Sequence, residues 1–272
     1  MGIRRPQRGP QSAQLRAALY YARKRRLRRL VASSGGSVDP LRSSVEFYAD
    51  FADWAAGPKT AYGQAAMTIL EENTAAYSAK GSRAASTATG PYIESSDAGF
   101  WVGGSDFTLE LFGVELVSHR NNTIFFTLGY RDTGLRCITI LSTASNDTLT
   151  IQRATTPTGS GINSNDVTGL GLQLDTPYDI TLERFGDDYT LYVDGVSEGT
   201  FTSSAVTFSP TNAQFLTFGY EILANGSSRS GNDLYLRGIR HTVGTARFQG
   251  AHTVPTFPIP AGDIPSVAST LV

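Results

Sequence analysis

Cysteine is nearly absent from this chain: Cys137 is the only one in 272 residues. A single cysteine makes no intrachain disulfide, which excludes a disulfide-dense secreted scaffold. In its apolar run Cys137 reads as a small buried hydrophobe. Histidine is also sparse, with His119, His241 and His252. None is spaced with another His, a Cys or an acid as metal ligands are; His119, beside a turn, and His252 read as surface groups. No apolar run approaches the ~20 residues of a membrane span. The basic start is not followed by an apolar segment, so no secretory signal is expected. No Gly-rich phosphate loop follows a strand, and no Ser, His and Asp pattern marks a nucleophile. The length is enough to bury a full core without disulfides or metal.

Acidic residues are missing from the start of the chain. Ten of the 23 Lys and Arg, and none of the 24 Asp and Glu, fall in residues 1–30. The remainder carries 13 basic against 24 acidic residues, so a basic arm precedes an acidic body. Residues 1–11 read as extended. From Ser12, a capping residue, Leu15, Ala18, Leu19 and Ala22 recur at helical spacing. Arg16, Arg23, Lys24, Arg25, Arg26, Arg28 and Arg29 spread charge almost all around that helix. They are the candidate anchoring residues, and Ser33 to Ser37 form a flexible linker. Such an arm suits an acidic protein surface, nucleic acid or anionic lipid, or a cleaved transit peptide; a solvated tail is the plain alternative.

The rest of the chain reads as strands and turns. Tyr189, Leu191 and Val193 alternate with more polar neighbours, and Asp194-Gly195 follows before Val196. Asp-Gly between apolar strand residues is the strongest local hairpin signal, because a type I′ turn needs positive φ at both central positions. Phe107, Leu109 and Leu111 share one face. Phe112-Gly113 then shifts the phase, so that Val114 and Leu116 continue it, which predicts a bulge. Further strands are expected around Val45 to Phe51, Met67 to Leu70, Ile124 to Tyr130, Leu135 to Ser142, Leu149 to Arg153, Tyr178 to Leu182, Leu216 to Tyr220 and Leu234 to Ile239. Residues 71–90 favour strands and loops over a helix, because Gly81 and the following Ser and Thr interrupt any helical run. Two long loops are expected, Thr155 to Thr168 and Ala224 to Asn232. The tail carries Pro255, Pro258, Pro260 and Pro265 and should lie extended on a surface. Many short strands with turns between them predict an all-β antiparallel sandwich. The expected units are an arm and linker over 1–43, the sandwich over 44–250 and the tail over 251–272.

Several stretches, in order, resemble the laminin-G-like, concanavalin A-like lectin and glucanase sandwich. These are Lys80 to Ser86 with Tyr92-Ile93-Glu94, Gly104 to Glu110, Leu191 to Val196, and Leu216 to Gly219 followed by Leu236 to Arg240. Arg240 to Phe248 and Thr253 to Pro258 are similar to the closing stretch of the version found in tailed-bacteriophage virion proteins. The resemblance covers roughly residues 44–260. It implies a two-sheet antiparallel jelly roll with two curved sheets, in a family that includes binders, structural modules and a few hydrolases.

The resemblance also says where to look for chemistry. Glycosidases of this fold carry two glutamates and an intervening aspartate on one strand face, and retention needs carboxylates ~5–5.5 Å apart. The nearest pair here is Glu110 and Glu115. Their odd separation puts them on opposite faces unless the Gly113 bulge intervenes, and no aspartate lies between them, so both are expected to be solvated outward residues and no catalytic residue is assigned. Laminin-G-like modules often bind calcium or glycans at loop ends. No cofactor is assigned; were calcium bound, Asn163, Asn165 and Asp166 would supply its oxygens, or Asn225 and Asp233, although turn chemistry explains these residues equally well. Candidate glycan contacts are Trp101, Tyr130, Tyr220, Asn225 and Arg229, aromatic faces with an amide and a guanidinium nearby.

The expectation is therefore a non-enzymatic virion structural protein of a tailed bacteriophage, decorating head or tail. Residues 1–43 would anchor it to other virion proteins, and the lectin-like sandwich, in many copies or as a homo-oligomer, would touch host-surface glycans. Membrane contact is not expected, and nucleic acid would be met through the arm only. A glycan hydrolase or lyase of the same fold is the alternative.

Overall fold

A computed structural model of the chain describes residues 39–51, 60–63, 68–71, 76–78, 81–84, 91–95, 105–117, 123–130, 135–142, 148–155, 162–204, 214–218, 220–222, 228–230, 234–255 and 267–270. The chain divides into Met1–Ser37 and Val38–Val272. The first unit, and with it the expected anchoring residues, lies outside the described residues.

A 3-10 turn, Arg42–Ser44, opens the described chain. Strands follow in the order β1 (Val45–Asp50), β2 (Thr60–Gly63), β3 (Thr68–Glu71), β4 (Ala76–Ser78), β5 (Gly81–Ala84) and β6 (Pro91–Ser95). Then come β7 (Phe107–Leu116), β8 (Thr123–Tyr130), β9 (Leu135–Ser142), β10 (Thr148–Ala154) and β11 (Ile162–Thr168). The closing run is β12 (Pro177–Phe185), β13 (Asp188–Val193), β14 (Val196–Thr202), β15 (Gln214–Phe218), β16 (Tyr220–Ile222), β17 (Ser228–Ser230), β18 (Leu234–Leu236), β19 (Gly238–Val243) and β20 (Val267–Thr270).

Every strand pairing among the described residues is antiparallel. The larger sheet runs β14-β13-β12-β7-β19-β1-β2-β20, with β18 joining β7 to β5 and β5 to β4. The smaller runs β11-β10-β9-β8-β15-β6-β3, and β16 pairs β17 apart from both. The all-β, two-sheet expectation holds. The sheets face each other: the Arg153 guanidinium of β10 lies over the Tyr189 ring of β13 at 5.4 Å, and Gly199 of β14 lies against Val167 of β11. Their facing sides carry buried Leu109, Leu111, Leu182 and Leu191 from one sheet and Ile138, Ile140, Leu149 and Ile151 from the other.

The two local signals read from the sequence are both present. Asp194 (φ 50°) and Gly195 (φ 78°) join β13 to β14, as a type I′ turn requires. Gly113 has φ 59°, and the β7–β12 register steps there from Leu111↔Ile180 to Val114↔Tyr178, one extra residue on β7. The bulge is tied to the turn, since Gly113 N–H donates to Asp179 Oδ1 (2.9 Å) and Asp179 N–H donates to Asp194 Oδ1 (2.9 Å).

Two expected loops contain strands. Residues 162–168 form β11, paired along its length with β10, and 228–230 form β17 against β16. Polar side chains at these positions lowered the strand signal, but pairing with a neighbour supplies the backbone partners regardless of side chain. In the tail, β20 adds an edge strand to β2. Strands β4 and β5 lie within 71–90, where strands were favoured over a helix.

Candidate functional site: a groove on the outer face of the larger sheet

The larger sheet has a second face, turned away from the sandwich core. Thr108, Glu110, Phe112 and Glu115 of β7 fall on it, as do Thr181, Glu183 and Phe185 of β12, and Asp188, Thr190 and Tyr192 of β13. The bulge therefore does bring Glu110 and Glu115 to one face. Neither is solvated, which corrects the expectation: Glu110 is 1% exposed and Glu115 is buried. At Thr108, Glu110 and Phe112 the outer face of β7 is covered by the segment 244–255, with Asp39 beside it.

Chemistry explains how that segment is held. Glu183 accepts from Phe248 N–H (2.8 Å), Gln249 N–H (2.7 Å) and the Thr108 hydroxyl (3.1 Å). His252 N–H donates to Gly195 C=O (2.9 Å), and the His252 ring stacks on Phe248 with centroids 3.5 Å apart. His252 is thus half-buried and packed, not a plain surface group, and burial pushes its pKa down. Val254 packs on Val45, Tyr48 and Phe112 in a small apolar cluster. Arg247 donates to Asp39 Oδ2 (2.7 Å) and to the Thr242 hydroxyl (2.6 Å). Next to it Arg240 makes two hydrogen bonds to Glu110, Nε to Oε2 and Nη2 to Oε1 (2.7 Å). Burial, then the neighbouring Arg240, pushes the Arg247 pKa down. Two arginines and two carboxylates thus share one buried cluster.

Where the covering segment stops, a groove of about 370 Å³ remains open. Its walls are Glu183 and Phe185 of β12, Asp188, Thr190 and Tyr192 of β13, Ser197 and Thr200 of β14, and Gln249 and Gly250 of the covering segment. Phe185 is 54% exposed, the exposed large hydrophobic among the described residues. It stands at the β12–β13 turn, where Gly186 has φ 60° and its N–H donates to Asp106 Oδ1 (2.8 Å). Opposite it the hydroxyls of Thr190 and Thr200 meet across the strands at 3.0 Å. Asp188 Oδ1 accepts from the Thr202 hydroxyl at 2.7 Å. Tyr192 closes the floor, its hydroxyl bonded among Thr190, Glu183 and the Gly250 backbone; burial, then negative Glu183, pushes its pKa up. An exposed aromatic beside hydroxyls, an amide and a carboxylate can stack on an apolar ring face while hydrogen-bonding the ring's substituents.

Sequence reasoning missed this groove. Its signal was parity: Phe185 is out of phase with Tyr178, Ile180 and Leu182, so a large apolar side chain had to face outward. Of the residues proposed from sequence as glycan contacts, three lie on described strands. Tyr130 ends β8, opposite Gln214, whereas Tyr220 and Arg229 sit on β16 and β17, opposite Ser230 and Glu221. Trp101 and Asn225 lie outside the described residues. The calcium set is on a strand, not a loop: Asn163 pairs with Arg153, Asn165 with buried Ile151 and Asp166 with Thr150. Neighbours along a strand point to opposite faces, so Asn165 and Asp166 cannot converge on one ion. Asp166 Oδ1 instead accepts from the Thr150 hydroxyl at 2.6 Å. No group of three His, Cys, Asp or Glu among the described residues could hold a metal.

No protein-family model matches the chain, and no curated protein matches it by sequence. Solved structures do share its fold. Botulinum neurotoxin type C, which enters cells through interaction with two ganglioside molecules, matches with a TM-score of 0.51 and 8% identity over 78% of this chain and 51% of its own. The binding domain of botulinum neurotoxin serotype D/C matches with a TM-score of 0.51 and 8% identity, over 74% of this chain and 49% of its own. The Trypanosoma rangeli sialidase, solved in complex with sialic acid, matches with a TM-score of 0.53 and 12% identity, over 84% and 36%. The chain therefore spans about half of each toxin chain and about a third of the sialidase. At these identities the likeness is one of fold: the chain shares a two-sheet antiparallel β-sandwich with these proteins.

Proposed function

We propose that this chain is a glycan-recognition module that binds without cutting, through the outer-face groove at Phe185. The observation that carries the reading is the open groove itself, with an exposed aromatic set beside Asp188, Thr190 and Thr200 on rigid strands. The fold is shared with a toxin that interacts with gangliosides and with a sialidase that holds sialic acid, which supports a sugar as the occupant. A hydrolytic role finds less support. Glu110 is committed to Arg240, and the outward position between it and Glu115 holds Phe112, not an aspartate.

The setting belongs to the same proposal. A cationic arm before an acidic body suits attachment to a larger assembly, and the stretches similar to tailed-phage virion proteins suggest which one. Residues 1–43 would fasten the chain to other virion proteins, with the sandwich facing the host surface in many copies, where weak single-site affinity is raised by multivalency. Mass spectrometry of purified particles should find the chain in many copies; particles lacking it would contradict the virion assignment.

Glycan-microarray binding tests the recognition itself. The intact chain should bind a subset of glycans, and Phe185→Ala should abolish that binding while leaving the fold intact. Array binding that survives Phe185→Ala, or no binding at all, would contradict the groove's role.

A further inference from the structure

We infer that the groove selects glycan ends without anionic groups and discriminates against sialylated or sulfated ones, an inference that rests on the groove being a glycan site. Binding a sugar carboxylate or sulfate calls for an Arg fork, a Lys, or a nest of free backbone N–H groups. Among the described residues lining the groove there is no Lys, Arg or His. The charges it holds are the carboxylates of Glu183 and Asp188, and Asp187, 61% exposed, stands on the adjoining turn. The nearest guanidinium in sequence, Arg184, falls on the opposite face of β12, where it donates to Ser105 C=O (2.8 Å) and lies 3.7 Å from Asp187.

A seat for an anion does exist beside the groove, and the protein fills it. The adjacent N–H groups of Phe248 and Gln249 each donate to one oxygen of the Glu183 carboxylate, which fills the place an anion would take. What remains for a ligand is a set of groups that read hydroxyls: Thr190, Thr200, Ser197, the Gln249 amide and the acceptor oxygens of Asp188. Each can exchange hydrogen bonds with a neutral sugar, and Asp188 can also take the N–H donors of an amino sugar. A sialic acid placed on Phe185 would bring its carboxylate against Asp188 and Asp187 within a Debye length of ~8–10 Å, where like charges are little screened. The rest of the chain, with 24 acidic against 13 basic residues beyond residue 30, adds to that repulsion at long range.

The test is an array of matched glycan pairs that differ only in a terminal sialic acid or sulfate, probed with the intact chain, Phe185→Ala and Asp188→Asn. The neutral member of each bound pair should bind at least about tenfold more tightly than its capped partner, a gap that corresponds to one decade in Kd. Asp188→Asn should narrow that gap, and Phe185→Ala should remove binding to both members. Equal or tighter Phe185-dependent binding of the sialylated or sulfated members would overturn the selectivity and leave the glycan site standing. Loss of any Phe185-dependent binding across the whole array would overturn the glycan site and the selectivity with it.

Discussion

Arg240 and Glu110 face each other across β19 and β7, in register, and are joined by two parallel hydrogen bonds with both side chains buried. A buried pair adds little to stability compared with a well-packed apolar pair, but removing one partner strands the other's charge. Arg240→Leu should therefore cost about 3–5 kcal/mol in urea unfolding. The double change Arg240→Leu with Glu110→Leu should cost less than Arg240→Leu alone. Equal losses would show that the pair is not the source of the effect.

Gly195 is constrained twice. Its φ of 78° disfavours a side chain, and an added Cβ would come within 2.0 Å of the His252 carbonyl oxygen, a backbone atom. Left-handed backbone alone costs a non-glycine residue roughly 1–2 kcal/mol. Gly195→Ala should exceed that figure, because the covering segment must also move away. Thermal unfolding measures the loss, and a stability within about 0.5 kcal/mol of the parent, the range of an ordinary surface change, would contradict the contact.

Glu183 holds the covering segment through two backbone N–H groups. In Glu183→Ala, amide hydrogen exchange at Phe248 and Gln249 should speed up at least about tenfold, with β12 itself protected as before. Unchanged exchange would mean that Val254 and Arg247 hold the segment without Glu183.

His241 lies in the sandwich core, 1% exposed and edge-on to Phe107. Burial pushes its pKa down to about 3 from an ordinary 6.5. It is neutral in the folded chain, whereas the unfolded chain protonates it below about pH 6.5, so the unfolded state binds more protons between about pH 6.5 and about 3. Stability should fall as pH drops through that window, by at most about 1.4 kcal/mol per pH unit from this residue. His241→Leu should flatten the acid limb of a urea-midpoint profile; an unchanged slope would contradict burial as the cause.

What could be read from the sequence was local. Asp194-Gly195 and Phe112-Gly113 each announce their geometry within a few residues, because positive φ and a phase shift leave a mark on neighbouring side chains. What could not be read depends on partners far along the chain. Glu110 looked solvated because its partner Arg240 lies 130 residues away, and the covering segment carries no period that reveals what it rests on. In sequence β11 reads as a loop because its Asn, Ser and Asp residues suit turns, while its pairing with β10 makes it a strand. The groove was hidden because its walls come from three strands and a non-strand segment, with Phe185 alone breaking phase.

Amide chemical-shift mapping of the intact chain, titrated with a glycan selected on the array, locates the sugar residue by residue. Shifts should centre on Phe185, Asp188, Thr190 and Thr200, saturate with ligand and be absent in Phe185→Ala. Saturating shifts confined to β16, β17 and the end of β8 would place the sugar elsewhere and contradict the groove's role.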